Sequence, residues 1–289
     1  MQHTSEVDGI DMHIEGEGAE TIVMVHGWPD TYRLWDDQVA ALRTRYRCVR
    51  FTLPGFDIGR PSRPSSLDEI AALLLKIVRQ TSPEGKVILM LHDWGCVFGY
   101  EFYMRHPELV SRIVGVDIGD VSAPDFSASL SVSAKLMTVT YQVWLALAFR
   151  IGGRCGDAMA RAMAKGLKCE TDPRGIRAQM GYPYYITWFG AYGSYRKALR
   201  FAPTCPMLYI YGTRKPFMFH SPRWAAQLEA RPECKVLAMR TGHWVMRRQP
   251  REFNDAVLGW LNAGPAAVPV PVADPVRESA REIVAGGRL

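Results

Sequence analysis

Short, unbroken apolar runs alternate with helical periodicity over the first 120 or so residues of the chain. Residues 21–25 and 47–52 are apolar and β-branched and close on glycine or proline, and residues 86–91 and 112–118 repeat the pattern. Between them, residues 67–80 place leucine and isoleucine at helical spacing behind Ser66, a natural N-cap, and residues 94–105 continue as helix. Strands that are apolar on both faces and separated by helices predict parallel βαβ units, with helices covering both sides of the sheet.

The pattern then changes. From 124 to 203 the chain reads as apolar and aromatic helices (136–149, 157–165 and 182–199), with no convincing strand. Alternation returns with strand 207–211, helix 222–230, strand 235–239 and helix 251–261. The simplest organisation is an α/β core split in two, residues 1–123 and 204–263, around a helical cap at 124–203. Residues 264–289, rich in Ala, Pro and Val, read as a disordered tail with a weak helix near 277–284.

Composition narrows the function classes. At 289 residues and 48% hydrophobic, the chain can bury a large core. The net charge of +6 is scattered and forms no stripe for a nucleic-acid backbone. Six widely spaced cysteines give no metal-site spacing, and a fold of this size needs no disulfide framework. The polar, acidic N-terminus is unlike a signal peptide, and no apolar run approaches the roughly 20 residues that span a bilayer. A cytoplasmic protein without a membrane span is expected, and nothing decides against a homodimer.

The chemistry concentrates at strand ends. Leu91-His92-Asp93-Trp94-Gly95 lies where a buried strand turns directly into a helix, the position of a nucleophile elbow, with Asp93 in the projecting place. A carboxylate is ionised at neutral pH and needs no activating base. Its attack on a saturated carbon gives an ester that an activated water can hydrolyse. Taken alone, Asp93 could merely cap the helix. Thr241-Gly242-His243-Trp244 follows the last strand, so His243 reaches the same sheet edge as a general base. His26-Gly27-Trp28-Pro29 follows the strand at 21–25, and the amides of Trp28 and Trp94 are the expected oxyanion donors.

These motifs resemble the α/β-hydrolase superfamily, in particular its epoxide hydrolase and haloalkane dehalogenase branches. The resemblance covers roughly residues 10–262. It is carried by H-G-W-P (26–29), P-G-F-D-I-G-R-P (54–61), H-D-W-G (92–95) and G-H-W (242–244). It implies an α/β-hydrolase fold, a mostly parallel sheet with helices on both faces and a helical cap insertion. One departure stands out. Where most relatives carry the acid that orients the histidine, this chain reads Gly212-Thr213-Arg214-Lys215, with a lysine that would disfavour the imidazolium. The family's second location for the acid, after the strand following the elbow helix, implies Asp120, with Asp117 as the fallback.

The leaving group separates the two branches. Dehalogenases typically place Asn after the His-Gly, where this chain has Trp28. An opening epoxide needs an acid, which epoxide hydrolases supply with two cap tyrosines. The resemblance implies Tyr141 for the first and Tyr185 for the second, with Tyr184 close behind; packing of the cap core is the competing role. Trp28, Phe98, Trp144, Trp188, Phe189 and Phe217 are candidate linings for an apolar epoxide, with water as co-substrate and no metal or organic cofactor implied. A haloalkane dehalogenase is one alternative. A non-catalytic binding protein, suggested by Lys215, is another.

Overall fold

The alternation becomes a single eight-stranded sheet in the computed structural model, which describes residues 2–60 and 63–263. The expectations for the tail at 264–289, and Pro61 of the motif at 54–61, lie outside the described residues. The strands are β1 (Gln2–Val7), β2 (Ile10–Glu15), β3 (Thr21–Val25), β4 (Arg47–Phe51), β5 (Val87–His92), β6 (Val110–Val116), β7 (Met207–Gly212) and β8 (Lys235–Met239). Their spatial order is β1-β2-β4-β3-β5-β6-β7-β8. β1 and β2 form an antiparallel hairpin that joins β4 antiparallel, and every pairing from β4 to β8 is parallel.

Helices cover both faces. α1 (Asp36–Leu42), α9 (Val245–Arg248) and α10 (Pro250–Asn262) share one apolar cluster with alternate residues of the central strands, such as Ile88 and Met90. α2 (Leu67–Thr81) and α3 (Trp94–Arg105) pack on the opposite set, which includes Leu89 and Leu91. This alternation follows from the pleat, because successive side chains of a buried strand feed different layers. Local chemistry sets the start of α2. Ser66 Oγ accepts from the Glu69 amide at 3.2 Å while Glu69 returns a carboxylate oxygen to the Ser66 amide at 2.8 Å, a complete capping box. α8 (Pro222–Glu229) lies between β7 and β8.

Four α-helices lie between β6 and β7: α4 (Pro124–Ser129), α5 (Val132–Ile151), α6 (Gly153–Gly166) and α7 (Tyr182–Phe189). α5 packs against α6 and α7. Two expectations change in this region. Helix 182–199 stops at Phe189, because Gly190 takes a left-handed conformation (φ 65°) and caps the end. α5 also proves longer than expected. Its 20 residues are long and apolar enough, by length and composition alone, to cross a membrane, although polar residues such as Lys135, Thr140 and Gln142 interrupt the run. Its buried residues are Ala134, Leu145, Ala146 and Ala148, whereas Val132, Leu136 and Leu147 face outward.

Candidate active site

β5 ends at His92 and α3 begins at Trp94, leaving Asp93 alone to make the turn. It does so at φ 54° and ψ −123°, a strained conformation for a residue with a Cβ, and this aims the carboxylate off the end of the sheet. Two glycines make room. A Cβ on Gly95 would stand 2.2 Å from the Val25 carbonyl oxygen, and one on Gly27 would stand 2.3 Å from Asp93 Oδ1. With Gly27 bare, the next amide closes on the carboxylate, and Trp28 N–H donates to Asp93 Oδ1 at 2.7 Å. Buried His26 pins this loop by accepting from the Leu53 amide at 2.9 Å through Nε2.

His243 arrives on the turn after β8. Its Nε2 lies 3.3 Å from Asp93 Oδ2, and its Nδ1 lies 2.5 Å from Asp117 Oδ2. Trp244 anchors the turn by donating its indole N–H to buried Asp30 at 2.9 Å, and Asp30 also accepts from Thr171 in the segment between α6 and α7. Behind His243, the ring of buried His92 sits 4.4 Å away, centroid to centroid.

The orienting acid is where the expectation moves. Asp120 does not meet His243: both its carboxylate oxygens are occupied by Ser221, from the amide and the hydroxyl at 2.7 Å each. Asp120 thereby fastens the start of α8. The residue at the imidazole is Asp117, the fallback. β6 ends at Val116 rather than at 118, so Asp117 is the first residue past the strand, and its φ of 68° turns the fully buried carboxylate towards His243. Its other oxygen, Oδ1, accepts from the Gly212 amide at 2.9 Å and from the ammonium of Lys215. Lys215 therefore engages Asp117, not the histidine.

Charge follows from this chain of contacts. Burial opposes the ionised form of Asp93, but the bond and charge of His243, and the Trp94 amide, outweigh it and hold the carboxyl below its ordinary range. Burial likewise opposes ionised Asp117, yet Lys215 and His243 hold it low. For His243, burial favours the neutral ring, but Asp117 and Asp93 together raise it to about 9. His92 is pushed down to about 3 by burial and by the charge of His243, so it stays neutral beside the pair.

A cavity of about 820 Å³ opens over Asp93 and His243, with Trp28, Tyr141, Tyr184 and Phe217 in its walls. Two helices bring the tyrosines, α5 and α7, and their rings meet edge to face at 6.1 Å. Tyr185 is not in this wall; it packs between Phe149 and Phe189, at ring separations of 5.1 and 4.9 Å. One residue is about 100° of helical rotation, which exchanges the cavity face of α7 for its outer face. Tyr184 instead contacts Trp28, Trp94 and Tyr141. Burial first, and then the Asp93 charge, hold its hydroxyl well above the ordinary tyrosine range. Tyr141 is raised in the same way, chiefly by burial.

Of the six candidate linings, only Trp28 and Phe217 are in the wall. Phe98 is fully buried in the core under Trp94 and Tyr195. Trp144, Trp188 and Phe189 lie on exposed helix surface. Trp144 donates its indole N–H to the Met159 carbonyl. Trp188 donates to Gln142 Oε1 at 3.1 Å, and Gln142 Nε2 donates to the Tyr141 hydroxyl oxygen at 3.2 Å. Gln142 is a contact that the sequence reading missed. It fills an acceptor site on Tyr141 and leaves the hydroxyl proton for another partner. Only its adjacency to Tyr141 could have flagged it.

A buried, ionised carboxylate held by the amides of Trp28 and Trp94, a histidine–aspartate pair beside it, and two neutral phenols across a cavity can together perform covalent displacement followed by hydrolysis. Comparison with known proteins agrees at the level of the fold. The chain is 23% identical to Epoxide hydrolase 2 of Caenorhabditis elegans over 89% of its own length and 79% of that protein's. It is 34% identical over 114 residues to a Mycobacterium tuberculosis protein named "Probable oxidoreductase EphD", a match spanning 37% of this chain but only 19% of that one. The Bacillus megaterium epoxide hydrolase, solved with an inhibitor, superposes with a TM-score of 0.62 at 18% identity, covering 90% of this chain and all of that one. The family model described as the alpha/beta hydrolase family matches residues 22–256, and the chain belongs to that family.

Proposed function

We propose that this protein is an epoxide hydrolase that opens its substrate by covalent attack from Asp93. The carrying observation is the placement of Tyr141 and Tyr184 in the cavity wall opposite Asp93, both as neutral phenols. A halide needs no proton on leaving, whereas an epoxide oxygen becomes a strongly basic alkoxide and needs a donor. The names of the C. elegans relative and the B. megaterium structure support the same reading. A purely binding role loses its ground, because Lys215 pairs with Asp117 and leaves the Asp93–His243–Asp117 chain intact.

The two oxygens of Asp93 divide the labour. Oδ1 is held by the Trp28 amide, and Oδ2, facing His243, attacks the ring carbon while a tyrosine gives its proton to the ring oxygen. Oδ1 then becomes the ester carbonyl, already seated where negative charge develops when water adds. Alkylation also changes the histidine. It removes the Asp93 charge and bond that help to raise His243, so the ring loses affinity for its proton at the moment a base is needed. The proton that His243 gives up restores the tyrosinate through solvent. The neutral ring then takes a proton from water, and the hydroxide adds to the carbonyl. Cleavage of the bond between Cγ and Oδ2 expels an alkoxide that takes a proton from His243 to leave as a vicinal diol. The Asp93 carboxyl then returns its own proton to the ring. Asp117 keeps the ring oriented throughout, as a positioning residue.

His243→Gln tests this directly. Treated with styrene oxide, the variant gains the mass of one epoxide on the peptide containing Asp93 and releases little diol. No adduct, or an adduct elsewhere, contradicts the proposal.

A further inference from the structure

The outer surface of the inserted helices carries apolar side chains that the proposed chemistry does not use. On α5, Val132, Leu136, Val139, Val143, Leu147 and Ile151 recur every three or four residues and form one stripe along the whole helix. Val143 is half-buried and the other five are exposed, Val132 by 83% and Leu136 by 66%. The opposite side of the helix, with Leu145 and Ala148, is buried. Two exposed tryptophans widen the stripe. Trp144 and Trp188 commit their indole N–H groups within the protein, to the Met159 carbonyl and to Gln142, which leaves the rings as apolar surface. Phe189, next along α7, is exposed as well. Contiguous apolar faces of this kind mark sites of docking.

The charge around the stripe selects what docks there. Residues 124–203 contain 11 Lys and Arg against 4 Asp and Glu. All four acids are taken: Asp125 by Arg223, Asp157 by Arg161 and Arg177, Glu170 by Arg248, and Asp172 by Arg174. That leaves eight cations of the insertion exposed and without an ion pair among the described residues. Three of them border the stripe. Lys135 stands three and four residues from Val132 and Val139, Arg150 stands three from Leu147, and Arg154 opens α6 just past Ile151. A second copy docked through the same face would set these cations against their own counterparts. Residues 264–289 hold three cations and three acids, so they bring no net negative charge. A bilayer rich in anionic lipid offers acyl chains to the stripe and negative headgroups to the cations beside it. We infer that the outer face of α5, with the end of α7, docks this protein on an anionic membrane surface. The helix lies on the membrane and does not cross it, because its inner side is packed against α6 and α7.

This docking does not depend on the epoxide hydrolase reading, and its test needs no turnover. The full chain is sedimented with vesicles of phosphatidylcholine alone, and with vesicles in which about a third of the lipid is phosphatidylglycerol. Partition into the anionic vesicles should be on the order of 100-fold stronger, since each of the three bordering cations contributes about fivefold. Salt at about 0.5 M should remove most of that difference. Lys135→Gln/Arg150→Gln should lower anionic partition about 25-fold. Leu136→Glu/Leu147→Glu should abolish binding to both vesicles while leaving the urea midpoint little changed, because both side chains are exposed. Lipid brominated on its acyl chains should quench wild-type fluorescence, and Trp144→Phe/Trp188→Phe should lose most of that quenching. No preference for anionic vesicles, binding untouched by the glutamates, or quenching unchanged without the two tryptophans would each overturn the inference. A solution dimer that Leu136→Glu/Leu147→Glu splits would also overturn it and assign the face to a second copy.

Discussion

Asp117 and Asp120 are three residues apart, and their partners give them different work. Asp117 faces His243, and Asp120 fastens Ser221. Asp117→Asn should therefore slow ester hydrolysis on the order of 100-fold or more, with adduct accumulating, because the ring loses its orienting charge. Asp120→Asn should leave turnover within about threefold and cost about 1–2 kcal/mol of stability through the weakened bonds to Ser221. Stopped-flow turnover and urea unfolding of the pair check both expectations. Lys215 gives a third prediction, with a definite sign. Its positive charge offsets part of the Asp117 charge that stabilises the imidazolium. In Lys215→Met the His243 pKa should rise, so the acid limb of the hydrolysis rate should move to higher pH. A limb that stays put or moves down contradicts this. At this scale Asp93 and His243 were legible in the sequence, because glycine-flanked turns after strands advertise them. Asp117 was legible only as the fallback to Asp120, because the end of β6 had to be placed to within two residues, and apolar periodicity does not fix a strand end that closely.

Helix rotation accounts for the second correction. Periodicity identified aromatic helices between the two halves of the sheet, but the run Tyr182-Pro183-Tyr184-Tyr185 offers three phenols on different faces, and only packing chooses among them. Tyr184 lines the cavity that holds Asp93, while Tyr185 stacks on Phe189. Tyr184→Phe and Tyr141→Phe should each slow ring opening by roughly 10–100-fold, whereas Tyr185→Phe should change it little. Pre-steady-state alkylation rates decide. The β1–β2 hairpin went unread for a different reason. As the edge of the sheet, β1 carries exposed polar residues over most of its length, the composition that keeps an edge from pairing further and that hides a strand from an apolar pattern.

Across the whole molecule, the site sits where two long-range connections meet. The sheet supplies Asp93, Asp117 and His243 from the ends of β5, β6 and β8, and the inserted helices supply the tyrosines. Sequence made the layering readable because buried strands and amphipathic helices differ in period; it could not show how α5 and α7 settle over the sheet. The buried charge chain also couples the site to folding. His243 is raised to about 9 in the folded protein, from an ordinary value near 6.5. The folded state thus holds a proton that the unfolded chain gives up earlier. Its stabilising effect is complete below about pH 6.5 and is lost as pH rises through about 9. Urea midpoints compared at pH 6 and pH 9.5 should fall more steeply for wild type than for His243→Gln. Parallel slopes would contradict the coupling.

Single turnover in heavy-oxygen water addresses the covalent step most directly. With enzyme in excess over epoxide, the account predicts that the first diol formed is unlabelled, its new oxygen having come from Asp93, and that the label appears in the Asp93 carboxylate. Label in that first diol, with Asp93 unchanged, would mean that water attacks the ring itself and that Asp93 never bonds to the substrate.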